Sequence, residues 1–224
     1  MTHEPGLELD GRQPKVIPIL FSAPMVRANL EGRKTVTRRA VKEPLWEPLM
    51  ERAMAPGCGI WRGADGQSEV RSRFGSPGDL LMVREAAYWN GGGWCYRADT
   101  NAEMDKGIRW TPSIHMPKAA CRLVLRRVGP VRVERVNQIT EAECIAEGVR
   151  EDNHRNGDTP TWSVPGTNVQ GWECPMLCYA ALWDSINGLG SFKSGPWVWV
   201  IPYEVAAKTH AEAQALLTAQ ESRK

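Results

Sequence analysis

The 224-residue sequence contains only 3 Phe and 4 His, and no apolar run approaches the roughly 20 residues that a membrane-crossing helix needs. A membrane protein is therefore not expected. Residues 1–15 are polar and hold no apolar h-region, so no export signal is read there and a cytoplasmic setting is expected. In that setting the six cysteines (Cys58, Cys95, Cys121, Cys144, Cys174 and Cys178) are expected to be reduced thiols. Cys174 and Cys178 form the one close pair. Neither a second pair nor a His-x-x-x-His completes a zinc set, so no metal and no cofactor is expected. Internal repeats, low-complexity tracts and βαβ alternation are lacking too.

The chain is instead rich in three residue types, with 10 Trp, 21 Gly and 16 Pro. Abundant Gly and Pro predict many turns and exclude a bundle of long helices. Tryptophan fills cores as readily as it builds stacking surfaces, so its abundance alone decides nothing. The formal net charge is only +2, yet the cations are clustered. Residues 27–39 hold Arg27, Arg33, Lys34, Arg38 and Arg39 against Glu31 alone. Residues 118–135 hold Lys118, Arg122, Arg126, Arg127, Arg132 and Arg135 against Glu134 alone. Such clusters on a near-neutral chain suit a localised phosphate-binding face, and they also suit two solvated strand or loop faces.

Residues 1–15 are expected to form a disordered leader. Residues 16–206 then form one domain, interrupted by loop insertions at about 43–76 and 149–171, and residues 207–224 a C-terminal surface helix or frayed tail. Val16 to Phe21 reads as a strand and Ser22 as the cap of a short helix that stops at Gly32. Ser76-Pro77-Gly78-Asp79 launches a buried strand at Leu80 to Arg84. Trp110 to Pro117 is expected to be extended between its prolines, and Cys121 to Ile139 to be two strands broken at Gly129-Pro130. Thr140 and Glu143 match a capping box opening a helix to Glu147. Pro175 to Ile186 reads as a helix with Leu177, Ala181, Leu182 and Ile186 as its inner face, and Trp197 to Ile201 as an apolar strand. Short strands, few helices and many turns predict a mixed α+β fold: a small β-barrel with helices packed on it.

Ile19-Leu20-Phe21, the helix after it and Gly32-Arg33-Lys34-Thr35-Val36-Thr37-Arg38-Arg39 resemble the start of ASCH (activating signal cointegrator homology) domains, which carry a G-x-K-T-x-T-x-R turn. Gly78 to Val83 is similar to that family's Gly-Asp strand, and the match extends over about residues 16–206. Trp110 to Pro117 and Leu182 to Gly188 further resemble a longer, phage- and prophage-associated branch. The resemblance implies a PUA-like β-barrel, a fold shared with RNA-modifying enzymes and RNA readers. One small branch of the family hydrolyses 4-acetylcytidine with a Lys, a Thr three residues later and a Glu on the later helix. Carried over, these are Lys34, Thr37 and Glu147, with Glu143 or Glu141 as alternatives for the acid. Arg39 would be the family's turn arginine.

A threonine hydroxyl attacks only when a base takes its proton. Lys34 can be that base if burial beside Arg33, Arg38 and Arg39 lowers its pKa, and a nearby carboxyl can protonate the leaving amine. Residues three apart on a strand face opposite ways, so Lys34 and Thr37 meet only if the backbone turns between them. The alternative is a basic loop in which Arg33, Arg38 and Arg39 bind phosphate. His115 can shuttle a proton or contact a base, or simply pack. Trp110 can stack a base, a contact of about 1–3 kcal/mol in single-strand binders. Arg122 is a candidate phosphate contact, whereas Arg126 and Arg127 are expected to be solvated and Trp183, Trp197 and Trp199 to be core.

Three functions remain open. The first is a module binding RNA or another single-stranded nucleic acid, or a modified nucleoside, in a basic cleft. The second is a hydrolase of a modified nucleoside or RNA. The third is a phage accessory protein that binds a partner protein through its insertions.

Overall fold

A computed structural model describes residues 13–41, 60–62, 69–101, 103–152 and 159–222, with backbone alone for 60–62 and 69–71. Most of the expected leader, much of the 43–76 insertion with Cys58, and residues 153–158 lie outside the described residues. The chain opens with β1 (Val16–Leu20), α1 (Ala23–Leu30) and β2 (Val36–Ala40). The hairpin β3 (Ile60–Arg62) and β4 (Glu69–Arg71) follows, then β5 (Leu80–Arg84) and a second hairpin, β6 (Ala87–Trp89) and β7 (Trp94–Tyr96). Next come β8 (Val124–Arg127), β9 (Arg132–Arg135), α2 (Glu141–Ala146), β10 (Arg150–Asp152) and β11 (Thr161–Ser163). The chain ends with α3 (Pro175–Asn187), β12 (Trp197–Ala207) and α4 (His210–Glu221).

The fold is mixed α+β: a curled half-barrel sheet with helices packed on it. Its strand order is β1-β5-β8-β12-β2, parallel between β1 and β5 and antiparallel elsewhere. β12 organises it. Its C-terminal half pairs with β8 and its N-terminal half with β9, and β2 also runs along that N-terminal half. β8 and β9 are thus two parts of one rail along β12, interrupted at Gly129-Pro130, where proline cannot donate to the ladder. Across the seam between the outer strands, Arg39 Nη2 of β2 donates to the Leu20 carbonyl of β1 at 2.6 Å.

β5 explains its own unbroken apolar run. Leu81 and Val83 join the main core, which includes Val26, Leu125, Val198 and Ile201. Leu80 and Met82 point the other way into a second core with Val124, Met116, Ala213 and Leu217. A strand covered on both faces has no polar side to alternate with. The cover on the second face is α4. Of the two expected alternatives, His210–Glu221 takes the helix and not the frayed tail: Thr209 and Glu212 form a capping box, and Ala213 and Leu217 are fully buried.

Other expectations also change. Part of the 149–171 stretch is the hairpin β10–β11, and Val164 and Val169 beyond it enter the main core. The 43–76 stretch contains the β3–β4 pair and ends at buried Phe74. Residues Ser113–His115 form a 3-10 turn where extended chain was expected. On α3 the buried side chains are Cys178, Tyr179, Leu182 and Trp183, whereas Leu177 and Ile186 are exposed. The helix is rotated relative to its predicted face so that its aromatic residues pack inward. The described cysteines are all unpaired.

Arg127 is the largest correction, being fully buried. Alternation along β8 puts it on the same inward face as Leu123 and Leu125. Its guanidinium donates to the carbonyls of Pro202 (3.0 Å), Phe74 (2.9 Å), Gly75 (3.1 Å) and Gly129 (2.6 Å). This fork ties the end of β8 to β12 and to the chain before β5. Arg127→Lys keeps the charge but cannot reach four carbonyls, and buried acceptors left unpaired cost about 1–3 kcal/mol each. A urea melt is expected to show a loss of about 2–3 kcal/mol, whereas a loss under about 0.5 kcal/mol would mean that the fork is dispensable.

Candidate active site

Two helix ends build the site. α1 finishes in a Schellman turn: Gly32 takes φ +75°, its N–H bonds the Asn29 carbonyl, and the Arg33 N–H bonds the Ala28 carbonyl. α2 finishes in the same way at Gly148, φ +106°, with Gly148 N–H on the Ile145 carbonyl and Val149 N–H on the Cys144 carbonyl. A Cβ on Gly148 would lie 3.2 Å from the Cβ of Ala28, so the two ends approach closely because a glycine stands there. They are also stitched together. Thr35 N–H donates to the Ala146 carbonyl at 2.9 Å, and Arg33 Nη1 to the Gly148 carbonyl at 2.9 Å.

Between these ends lies a buried ion pair. Lys34 Nζ contacts Glu147 Oε2 and donates to the Glu147 carbonyl at 2.8 Å, with the two side chains 1% and 5% exposed. Lys34 precedes β2 and hangs from the α1 turn by its own N–H, which bonds the Ala28 carbonyl at 3.1 Å. The alternation of a strand therefore does not govern the step from Lys34 to Thr37. Both residues, with Glu147, line one cleft of about 210 Å³. Phe21, Tyr179, Trp183 and Arg39 are among its other walls.

Burial is the largest influence on Lys34 and pushes its amine below the ordinary 10.5. Glu147 opposes this through charge and a hydrogen bond, while Arg39 and Arg38 add to the lowering. Arg38 is buried among acids: Glu134 at 2.6 Å, Glu143 at 2.9 Å and Glu147 at 3.4 Å. Burial works to raise Glu143, but the Thr140 N–H, Arg38 and Arg132 outweigh it and hold the carboxyl below its usual range. Glu143 is thus committed to Arg38 and Arg132, and Glu147 is the acid that meets Lys34. Glu141 is exposed at the start of α2. Arg39 Nε is buried with no hydrogen-bond partner, and its guanidinium lies 5.1 Å from the Phe21 ring centroid.

The remaining predicted residues lie elsewhere. Arg33 is tied to Glu31 at 2.6 Å and to Gly148. Trp110 is half-buried, donates from Nε1 to Asp105 and packs edge-on against Tyr88 at 5.2 Å. His115 is exposed on its turn. Arg122 is paired with Glu85 at 2.9 Å and Asp99 at 2.7 Å, and lies 3.9 Å over the Tyr96 ring. None of Arg33, Trp110, His115 and Arg122 lines the cleft. The structure brings together Lys34, Thr37, Glu147, Arg38 and Arg39 and leaves those four apart. Trp183 is buried as expected of a core residue and also walls the cleft; Tyr179, which sequence reasoning passed over, had one legible signal: aromatics four apart on a helix lie on one face.

No known family model matches the chain, and no curated protein matches it. Among solved structures it is similar to protein EF3133 from Enterococcus faecalis V583, of the family-model DUF984, at 12% identity. That match covers 89% of this chain and 84% of the other at a TM-score of 0.35, a likeness too weak to bear on fold or function.

Proposed function

We propose that the cleft is a hydrolytic site for a small acyl group carried as an amide on a nucleobase, the chemistry implied by the resemblance to ASCH domains and their PUA-like fold. One observation carries this reading: Lys34, Thr37 and Glu147 share one cleft, with Lys34 and Glu147 paired at its buried floor. Buried ion pairs contribute little net stability compared with apolar residues of the same volume, so a pair placed here suits chemistry better than folding. The cleft volume, about 210 Å³, is below the roughly 300–1,000 Å³ of sites for drug-sized ligands. It suits one planar group between the rings of Phe21, Tyr179 and Trp183.

In this reading the neutral amine of Lys34 takes the Thr37 hydroxyl proton as the oxygen attacks the acyl carbonyl. The ammonium so formed stays against the Glu147 carboxylate, and Arg39 Nε supplies a charged donor for the developing oxyanion. The exocyclic amine leaves with the proton held between Lys34 and Glu147. Water then cleaves the acyl-threonine ester, releasing the carboxylic acid and restoring the hydroxyl.

The test is incubation of the purified, folded protein with 4-acetylcytidine, monitored by chromatography for cytidine and acetate. Stoichiometric release of both products, abolished in Thr37→Val, is expected. No turnover of acetylated, or longer-chain acylated, cytidine by a folded sample would defeat the reading. Binding of single-stranded nucleic acid without turnover is the second reading, favoured by the guanidinium groups gathered near the seam between β1 and β2.

A further inference from the structure

On the other side of Arg39 lies a second groove, about 460 Å³ in volume, which none of the steps above uses. It runs along the outer strand β1 and shares Leu20 and Arg39 with the first cleft. Its walls carry three guanidinium groups, from Arg39, Arg73 and Arg84, beside apolar Ile17 and Phe74. No Asp or Glu stands among the residues lining it.

What sets the groove apart is three guanidinium groups on one wall with no acid among them. Arg33, Arg38, Arg97, Arg122, Arg126 and Arg132 each have a carboxylate within 4 Å. The three groove arginines have no such partner among the described residues. Arg39 spends Nη2 on the Leu20 carbonyl and leaves Nε buried and unpartnered. Arg84 holds the Met116 carbonyl with Nε and Nη2 at 3.0 and 2.6 Å, which fixes the guanidinium, and Nη1 has no hydrogen-bond partner among the described residues. Arg73 is exposed, lies 5.2 Å from the centroid of the Phe74 ring and is close enough to Arg39 to repel it. Glu147 offsets part of the charge on Arg39, but no acid lines the groove itself, and a bound anion there relieves the repulsion between Arg39 and Arg73. Pro18 in β1 has no N–H to offer, which suits an edge kept from pairing with another strand.

We infer that this groove binds the phosphate of a nucleotide whose base occupies the first cleft, with Arg39 standing between the two subsites. The inference rests on the first cleft taking a base. It adds that the preferred ligand carries a phosphate, as a mononucleotide or within a single strand, so that a bare nucleoside fills only half of the site. A cleft of about 210 Å³ leaves the sugar and phosphate outside it, and the acid-free groove is its immediate neighbour.

The test measures binding of cytidine, cytidine 5′-monophosphate, a roughly eight-nucleotide oligocytidine and inorganic phosphate by calorimetry over a range of salt concentrations. The monophosphate is expected to bind at least about tenfold more tightly than cytidine, as one charge-assisted contact supplies. Arg73→Gln, at an exposed side chain with no hydrogen-bonded partner among the described residues, should remove much of that ratio, and Arg84→Met should remove it as well. If the site serves a strand, the octamer gains further over the monophosphate, and Arg73→Gln flattens its salt slope by about 0.7–1. If it serves a mononucleotide, the octamer gains nothing. Equal affinity for cytidine and its monophosphate, or a ratio untouched by both variants, overturns the inference. So does inorganic phosphate binding as tightly as the monophosphate, because the two subsites would then be unconnected. Nucleoside turnover without a phosphate preference removes this inference alone. A phosphate preference without turnover removes the hydrolytic reading alone.

Discussion

Replacing Glu147 with leucine is expected to destabilise the protein by about 3–5 kcal/mol, a large part of the 5–15 kcal/mol that typical domains possess. The cost arises at Lys34. With the carboxylate gone, the amine stays 1% exposed, facing only the Glu147 backbone carbonyl. Arg38 suffers less, because Glu134 and Glu143 remain within 2.6 and 2.9 Å. The converse variant, Lys34→Met, leaves Glu147 with Arg38 at 3.4 Å as its surviving counter-charge, so its cost should be smaller, about 1–3 kcal/mol. The double variant removes both charges and refills the space with apolar atoms, so it should recover most of the loss. Urea melts of the four proteins decide the matter. A double variant no more stable than Glu147→Leu would show that the loss does not arise at an unpaired Lys34, and Lys34→Met as costly as Glu147→Leu would show that Arg38 does not compensate Glu147.

Much of this site was readable along the chain because its parts are local signals. Gly32 after an apolar face marks the end of α1, and Thr140 with Glu143 marks the start of α2, so both helix ends that flank Lys34 had sequence signatures. The pairing itself was not readable from periodicity. Lys34 and Glu147 are separated by 113 residues, and only the family resemblance joined them. Where the resemblance was silent, composition misled. Arg122, Arg126 and Arg127 look alike as a basic run, yet one is paired with Glu85 and Asp99, one is exposed, and one is buried under four carbonyls. Strand register decides between those fates, and register depends on β12, some 70 residues later. The face of α3 was misjudged at three positions for a related reason: Leu177 and Ile186 are as apolar as Leu182, and only packing against the half-barrel turns Tyr179 inward beside Trp183, which was expected in the core. Arg73 and Arg84 had no signal at all, since a missing counter-charge becomes visible only in three dimensions.

The rate of acyl transfer is expected to rise with pH along a limb that lies below the ordinary lysine value of 10.5. The sign follows from the role assigned to Lys34. Only its neutral form accepts the Thr37 proton, and burial favours the neutral form, so activity appears as pH climbs through the lowered pKa. Two substitutions should move that limb in opposite directions. Glu147→Gln removes the charge that raises Lys34, so the limb shifts to lower pH even as the rate falls. Arg39→Met removes a charge that lowers it, so the limb shifts to higher pH. A merely structural Lys34 would produce neither shift. The nucleophile gives a second, independent reading. Thr37→Ser keeps the hydroxyl and should retain turnover, whereas Thr37→Val keeps the shape and should reduce it to background. Lys34→Met should cost about 10²–10⁴-fold, the usual contribution of a positioned base. Thr37→Val with undiminished turnover would remove the covalent step and leave Lys34 and Glu147 to activate water directly. Limbs moving the same way in both variants would take the base role from Lys34.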